Sequence, residues 1–597
     1  MAGGVGRYTG PAMIVLGITE THCATAAVLR DGRIVGCASE ERFSRLKNDA
    51  GYPRRAIDAL LRELDIRPDQ IDLVALAGAR AASREWLNRV LHDEDYAREY
   101  YGVAWPTRRR AFEKKVRKWG AKFGLIDASR GKFGISQRER LGAVTGHLGI
   151  GADRIACLDH HTCHAAAAYW GSGFAGRPTL VLTNDNSGDG LCATASTGSG
   201  LTLDRHEATP SAPGSLGAFY SFATLALGMK FGEHEYKVMG MAPYAPDKYA
   251  RRAEEALRAV FDLEEGRPAR FRWRAPGERY QLLLRAMVGL RFDWVAGGAQ
   301  RLLEDVLLRW TRLMRERYGG GRLALGGGVF MNVKANMLIG QEEWVEELFA
   351  FPSCGDESNA VGAAYLGYLK ECARRGVPAA PQAFGPAYLG PSVTDEEAEQ
   401  VIRERGLEGQ YKVAYHDRIE ERIAELLVSD GVVARCAGRM EFGARALGNR
   451  SILANPSDHR VVGLINRMIK NRDFWMPFAP TVLAERAGDY LVNPKDLASP
   501  YMMLAMPTRP EAREALAAAL HPQDATARPQ ILEREWNPEY HAVIREFERR
   551  TGVGAVLNTS FNLHGEPIVG SAADAIDTFE RSGLPHLAVG HWLLSKK

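Results

Sequence analysis

His160 and His164 stand four residues apart in CLDHHTCHAAAAYW, ahead of an alanine run that favours helix. Residues four apart share a helix face, so the two imidazoles point the same way and His161 points elsewhere. Two imidazoles on one face begin a divalent-metal site. Spacing alone leaves open a simple pair of hydrogen-bonded histidines, and carboxylates are needed to complete the site. Asp185 ends the apolar run TLVLTND and opens the NSGDG loop. Asp356 sits at a strand end ahead of a small-residue helix in FPSCGDESNAVGAA. Both are candidates, because strand ends facing loops are where α/β proteins place chemistry. A metallopeptidase is disfavoured, since position 161 is His where HExxH needs Glu.

A second chemistry is written in glycines and arginines. Gly326, Gly327 and Gly328 follow an apolar run and precede a helical one, as expected where a backbone approaches a phosphate or nucleotide. Lys237 is a candidate phosphate contact whose bland reading is a surface lysine. Residues 435–473 carry eight Lys or Arg against three Asp or Glu, interleaved with apolar residues, Gly and Asn. Arginine in such a setting suits phosphate oxygens; a nucleic-acid surface is the alternative. DATARPQ adds Arg528, and VLNTSFNLHGEPIV runs from a strand into a loop of hydroxyls and amides.

The elements that must position these groups are α/β in pattern. Apolar runs from Met13 flank Asp31-Gly32, a hairpin signal. PRRAIDALLRELDI reads as helix, DLVALAG as a buried strand, and RLALGGGVFMNVKANM as strand, glycine loop and helix. Residues 83–140 read as a helical insertion, and its run RRRAFEKKVRKWGAK reads as a solvated basic face. Pro and Gly cluster at 377–395, and a new helix starts behind Thr394-Asp395, which places a domain boundary there. No tandem repeat is visible. The 597 residues call for at least two domains. With 46% apolar and 25% charged residues and a net charge of +4, the composition is that of a soluble protein. Eight cysteines without a CxxC pair suggest reduced, mainly buried thiols in a cytoplasmic protein. No signal peptide or membrane-length apolar run is found, and the first ten residues read as a flexible leader.

Taken together, HCATAAVLRDGRIVGCASEERFSRLKNDAGYP, DHHTCHAA, NDNSGDG, KVMGMAPYA, LGGGVFMNVKAN, GDESNAVGAA, GRMEFGARALGNRSIL, INRMIKNRDFWMPFAPTVL, TARPQ and NTSFNLHGEPIV resemble one family over nearly the whole chain. It is the carbamoyltransferases of the nodulation-protein and antibiotic-tailoring type, including tobramycin and cephamycin carbamoyltransferases. The resemblance implies a fold class of α/β and α+β. Residues 1–385 would form an actin/hexokinase-like (Kae1-like) ATPase domain, and 386–597 a YrdC-like domain. The second would make carbamoyl adenylate from carbamoyl phosphate and ATP, with Mg2+. The first would transfer the carbamoyl group to a small-molecule hydroxyl and release AMP. An Ala- and Arg-rich chain fits a GC-rich bacterium and a specialised-metabolite (antibiotic) pathway.

Carried over by position, His160, His164, Asp185 and Asp356 look like ligands of Fe2+ or another divalent metal. Gly326, Gly327, Gly328 and Asn332, with Lys237, look like nucleotide contacts. His22, Arg45 and Lys47 match positions lining the transfer site, His22 and Lys47 being the catalytic candidates. Arg445, Arg450, Lys470, Arg472 and Arg528, with Asn558, Thr559, Ser560 and Asn562, look like contacts to ATP and carbamoyl phosphate. The expected partners are carbamoyl phosphate and a hydroxyl acceptor, with no nucleic acid and no membrane; a homodimer is compatible. The chain departs from the family's usual residues at Asn48, Asn186, Ala444 and Ala525, where His, Gly, Pro and Gly are common. The Asn186 change touches the metal loop; the others read as tolerated variation. The alternative function is a tRNA threonylcarbamoylation-type enzyme, which shares both domain types and would need an RNA surface. A non-catalytic ATPase-fold protein would leave the second-domain motifs unexplained.

Overall fold

Asp31 and Gly32 both take positive φ, 50° and 84°, the geometry that lets two strands fold back with matching twist. They join β2 (Thr25–Arg30) to β3 (Arg33–Ser39). β1 (Ile14–Thr19), β4 (Leu73–Ala77) and β5 (Ile155–Leu158) complete a sheet of order β3-β2-β1-β4-β5. β2 runs antiparallel to its neighbours β1 and β3, whereas β4 and β5 run parallel to β1. Strand periodicity sorts the side chains of β1: Val15 faces one core, Ile14, Leu16 and Ile18 the other. The computed structural model describes residues 12–93, 96–97, 134–274, 279–429, 431–470 and 472–597.

The same topology then recurs. β6 (Thr179–Gly188), β7 (Leu191–Ser199), β8 (Thr202–Pro210), β9 (Arg322–Gly326) and β10 (Glu347–Ala350) form a sheet of order β8-β7-β6-β9-β10 with the same pattern of parallel and antiparallel pairs. Helix α1 (His160–Gly171) follows β5 and packs on β6 and β9; α2 (Asn359–Arg375) follows β10 and packs on β1 and β4; the two helices pack on each other. The layers are therefore sheet, α2, α1, sheet. Small residues allow this close crossing: a Cβ on Gly362 would fall 1.8 Å from the Cys163 carbonyl oxygen. This duplicated unit is the expected actin/hexokinase-like arrangement. The repeat escaped the sequence because it lies in strand order and burial, which many side chains satisfy equally.

Toward the C-terminus lies an eight-stranded mixed sheet. Its members are β11 (Lys412–Tyr415), β12 (Val432–Cys436), β13 (Arg450–Ala454), β14 (Ala479–Leu483), β15 (Gln530–Leu532), β16 (Ala555–Ser560), β17 (His586–Val589) and β18 (Trp592–Ser595). Their order is β11-β18-β17-β12-β13-β16-β14-β15. This is the α+β, YrdC-like part of the expected fold class. The helix Asp395–Glu404 begins behind Thr394, whose Oγ1 accepts the Glu397 N–H at 3.2 Å, a standard N-cap.

Side-chain-to-backbone bonds tie the C-terminal sheet to the duplicated unit. Arg42 donates to the Gly443 carbonyl at 2.6 Å, Arg439 to that of Val35 at 3.0 Å, and Asn336 to that of Met503 at 2.9 Å. The expected insertion at 83–140 is seen at its ends, in the helices Arg84–His92 and Gln137–Leu148. The basic run 108–122 and the N-terminal leader lie outside the described residues. Among the described residues no helix is long and apolar enough to cross a membrane. All eight cysteines are free, six of them buried.

A candidate metal centre and a cationic cluster in one cavity

His160 and His164 open α1, with the Asp159 side chain accepting the Thr162 N–H as N-cap. Both rings are buried and face Asp185 of β6 and Asp356, which begins the short turn into α2. One ligand atom from each of the four lies within 4.8 Å of every other. His160 Nε2 is 3.4 Å from Asp185 Oδ2 and 3.5 Å from Asp356 Oδ1; His164 Nε2 is 3.7 Å from Asp356 Oδ1. His161 turns away and meets Thr183 Oγ1 at 2.8 Å. Asp185 does not end its strand as expected. β6 continues through Asn186 to Gly188, with its pairing to β7 interrupted between Asn184 and Gly188.

Neighbouring groups set the ring tautomers. Ser358 Oγ donates to the Gly355 carbonyl, so it receives the Nδ1–H of His164 at 3.2 Å. That leaves the His164 Nε2 lone pair aimed into the site. Asn359 Nδ2 lies 3.2 Å from that lone pair and 3.4 Å from His160 Nδ1. The two Nε2 atoms are 3.1 Å apart, and Asp356 Oδ1 is buried without a hydrogen bond. Two ring nitrogens this close, beside an orphaned carboxylate oxygen, fit a shared cation. Burial works against a charged His160, yet Asp356 and Asp185 outweigh it and raise its pKa to about 9. A His2Asp2 donor set suits iron, manganese or zinc.

Gly188 makes room for the centre: a Cβ there would fall 2.0 Å from the His160 ring. Asn186 keeps an ordinary negative φ, so the missing family glycine brings no strain. Asn48 and Ala525 do adopt positive φ, 55° and 51°. Asn visits this region readily; Ala does so at a cost. His22 Nδ1 lies 3.4 Å from Asp356 Oδ2, and Lys47 Nζ is 2.9 Å from Glu233 Oε1.

Both residues line a cavity of about 610 Å³ that also reaches Asp185, Asn186, Lys237, Gly328, Asn332, Arg445, Lys470, Arg472, Arg528, Asn558, Thr559, Ser560 and Asn562. The duplicated unit supplies one side and the C-terminal sheet the other. On the latter side, Lys470 Nζ donates to Asn562 Oδ1 at 2.7 Å and meets Ser560 Oγ at 3.1 Å; Arg472 meets Thr559 Oγ1 at 3.2 Å. No carboxylate pairs with Arg445, Lys470, Arg472 or Arg528 among the described residues, and the Nε atoms of Arg445 and Arg528 are buried without partners. Burial, and then repulsion from Arg445 and Arg472, push Arg528 well below the usual guanidinium range. Burial, Arg472 and Lys47 do the same to Lys470. Four crowded cations without a counter-charge form a site for an anion.

Four of the residues expected at the site, Arg450, Arg45, Gly326 and Gly327, do not line the cavity. Arg450 is fully buried beneath the cavity. Its guanidinium donates to the carbonyls of Gly570, Ala437, Asn449 and Gly438, so it braces the loop rather than meeting ligand. Arg45 does not line the cavity but clamps its C-terminal loop through the carbonyls of Ile568 and Pro567 at 2.7 and 2.9 Å. Gly326 and Gly327 lie behind the cavity wall, and Gly328 alone of the three lines it. The Gly328 N–H donates to Asp185 Oδ1 at 3.1 Å. Asn332 caps the helix Val333–Gln341 and exchanges hydrogen bonds with Gln300. Lys237 pairs with Asp473 at 3.1 Å. The basic density at 435–473 is thus partly structural: Arg435 and Arg439 also bind carbonyls, and Arg460 pairs with Asp458.

Ser358, Asn359 and Glu357 were not singled out from the sequence, although they stand inside the GDESNAVGAA motif. Glu357 lines the cavity beside Asp356. Burial pushes its carboxyl up to about 7, although the Ser353 hydroxyl donates to it.

Family comparisons agree with this architecture. The model of the carbamoyltransferase N-terminus matches residues 14–365, and that of the carbamoyltransferase C-terminus matches 424–596. The chain belongs to the carbamoyltransferase family and is an enzyme of that class. An uncharacterised Synechocystis protein is 31% identical, over 98% of this chain and 96% of its own. Nodulation protein NolNO of Sinorhizobium fredii is 31% identical, over 97% of this chain and 80% of its own. Full-length HypF, solved in a phosphate- and nucleotide-bound form, aligns at 11% identity and a TM-score of 0.34, over 64% of this chain and 57% of its own.

Proposed function

We propose that this chain is an ATP-dependent O-carbamoyltransferase that makes carbamoyl adenylate and passes the carbamoyl group to a hydroxyl of a small molecule. The observation that carries this reading is one cavity lined by Asp185 of the metal-ligand constellation on one side and by a cationic cluster without paired carboxylates on the other. Arg445, Lys470, Arg472 and Arg528, with Asn558, Thr559, Ser560 and Asn562, hold carbamoyl phosphate and the phosphates of ATP, which enters with Mg2+. Lys237, Gly328 and Asn332 meet the nucleotide. We place the division between the two working parts near residue 385.

In the first half-reaction water cleaves carbamoyl phosphate to carbamate and phosphate. A carbamate oxygen then attacks the α-phosphorus of ATP, and pyrophosphate leaves. Carbamate is a poor electrophile, and adenylation gives its carbon a good leaving group. In the second half-reaction the acceptor oxygen bonds to the carbamoyl carbon, the bond to the adenylate oxygen breaks, and AMP leaves. His22, beside Asp356, is placed to take the hydroxyl proton. His160, His164, Asp185 and Asp356 would hold Fe2+ or another divalent metal, which supplies Lewis-acid polarisation of the carbamoyl oxygen when bound. The enclosed path keeps a hydrolysable intermediate from bulk water.

The test uses labelled carbamoyl phosphate. AMP and pyrophosphate should form only when it is present. His160→Ala should abolish carbamoyl transfer while adenylate formation persists; normal transfer in that variant would sink the metal assignment.

A further inference from the structure

The helix Arg84–His92 borders the cavity with a face the reaction so far does not use. Trp86, Leu87, Val90 and Leu91 line it, at i, i+1, i+4 and i+5, one face of a helix. Glu85 and Arg89 are exposed to solvent on the opposite side. Phe231 adds a ring to the same lining and stands edge-on to Phe222 at 5.5 Å. Except for Val90, these apolar side chains are only partly covered by protein.

The helix is fixed in place. Asp49, fully buried, accepts from Arg84 at 2.8 and 3.0 Å and from Asn88 at 3.3 Å; Asn88 Oδ1 in turn accepts the Ala50 N–H at 3.2 Å. The apolar face is therefore preformed, and it is continuous with the cavity that holds His22, Asp185 and Asn186.

We infer that the acceptor is a hydroxyl compound with an apolar or aromatic body seated against Trp86, Leu87, Val90 and Leu91. This rests on the carbamoyl-transfer reading. The acceptor oxygen bonds to the carbamoyl carbon, AMP departs with the adenylate oxygen, and the hydroxyl proton leaves through His22 or solvent. Burial of a phenyl-sized group in such a setting improves binding by about tenfold or more.

The test supplies labelled carbamoyl phosphate and ATP to the full chain with phenyl β-D-glucoside, methyl β-D-glucoside or glucosamine. AMP formation is read beside carbamoyl transfer. The expected kcat/KM for the phenyl glucoside exceeds that for the methyl glucoside by about tenfold or more, through KM, and glucosamine does no better than the methyl compound. In Leu87→Asn the phenyl-to-methyl ratio falls toward one. Equal use of the two glucosides, a preference for glucosamine, or AMP formation with no transfer to the phenyl compound would overturn the inference. Absence of carbamoyl-phosphate-dependent AMP formation would overturn the carbamoyl-transfer reading, and this inference with it.

Discussion

Ser353 Oγ accepts the Ala444 N–H at 2.9 Å while donating its own proton to Glu357. It stands at positive φ, 53°, three residues before Asp356, and Ala444 directly precedes Arg445. One hydroxyl thus joins the loop of a candidate metal ligand to the loop of the cationic cluster. Ser353→Ala should lower stability by about 1 kcal/mol in urea titration. It should also raise the KM for carbamoyl phosphate about fivefold. A KM that stays put would show that the two loops are not linked through this bond.

Gly188→Ala should empty the metal centre without touching a ligand. The added methyl would collide with the His160 ring, which is walled in by α2 and has no room to retreat. Metal content by plasma mass spectrometry should drop from stoichiometric to near zero. A fully loaded variant would place the cation elsewhere.

Arg528→Met and Arg450→Met should behave oppositely. Arg528 sits among like charges, so its removal should leave the melting temperature level or raise it, while abolishing the stabilisation that inorganic phosphate or ATP gives in thermal-shift assays. Arg450 satisfies four carbonyls, and its loss should destabilise the chain by about 3 kcal/mol or more. Similar melting shifts in the two variants would contradict this division of labour.

Ala525 holds a backbone conformation that glycine adopts freely. Ala525→Gly should stabilise by about 1 kcal/mol, less the entropy glycine adds to the unfolded chain. Chemical denaturation measures the balance, and a loss of stability would mean that the entropy term dominates.

Glu233 contributes to the acid limb of stability. Burial raises its pKa, but Lys47 and Lys230 outweigh this and hold it at about 2, against an ordinary value of 4.5. A depressed carboxylate stabilises above its unfolded pKa, and that contribution fades as pH falls from 4.5 towards 2. Wild type should therefore exceed Glu233→Gln by about 1–3 kcal/mol at pH 7, and the gap should narrow below pH 4.5 and close only near pH 2. A gap independent of pH would rule out the ion pairs as its source.

Local features were the legible ones. The i, i+4 histidines, the Asp31-Gly32 hairpin and the Thr394 cap each depend on a few neighbouring residues, and each stands where its pattern placed it. What stayed hidden depends on partners far away in the chain. Arg450 and Arg528 are the same letter in similar motifs; one meets carbonyls up to 120 residues away and the other meets its own kind. Ser353 reads as a loop serine until Ala444, 91 positions on, arrives at its oxygen. The apolar face of Arg84–His92 looks like any amphipathic helix, because sequence gives the stripe but not what it borders.

The cavity volume has a kinetic consequence. One molecule confined to 610 Å³ is at an effective concentration on the order of 3 M. An adenylate formed there would meet a seated acceptor at a frequency that no dissolved intermediate could match. Carbamoylation would then depend on whether the acceptor is already in place when the intermediate forms, and an empty acceptor seat would leave water as the competing nucleophile.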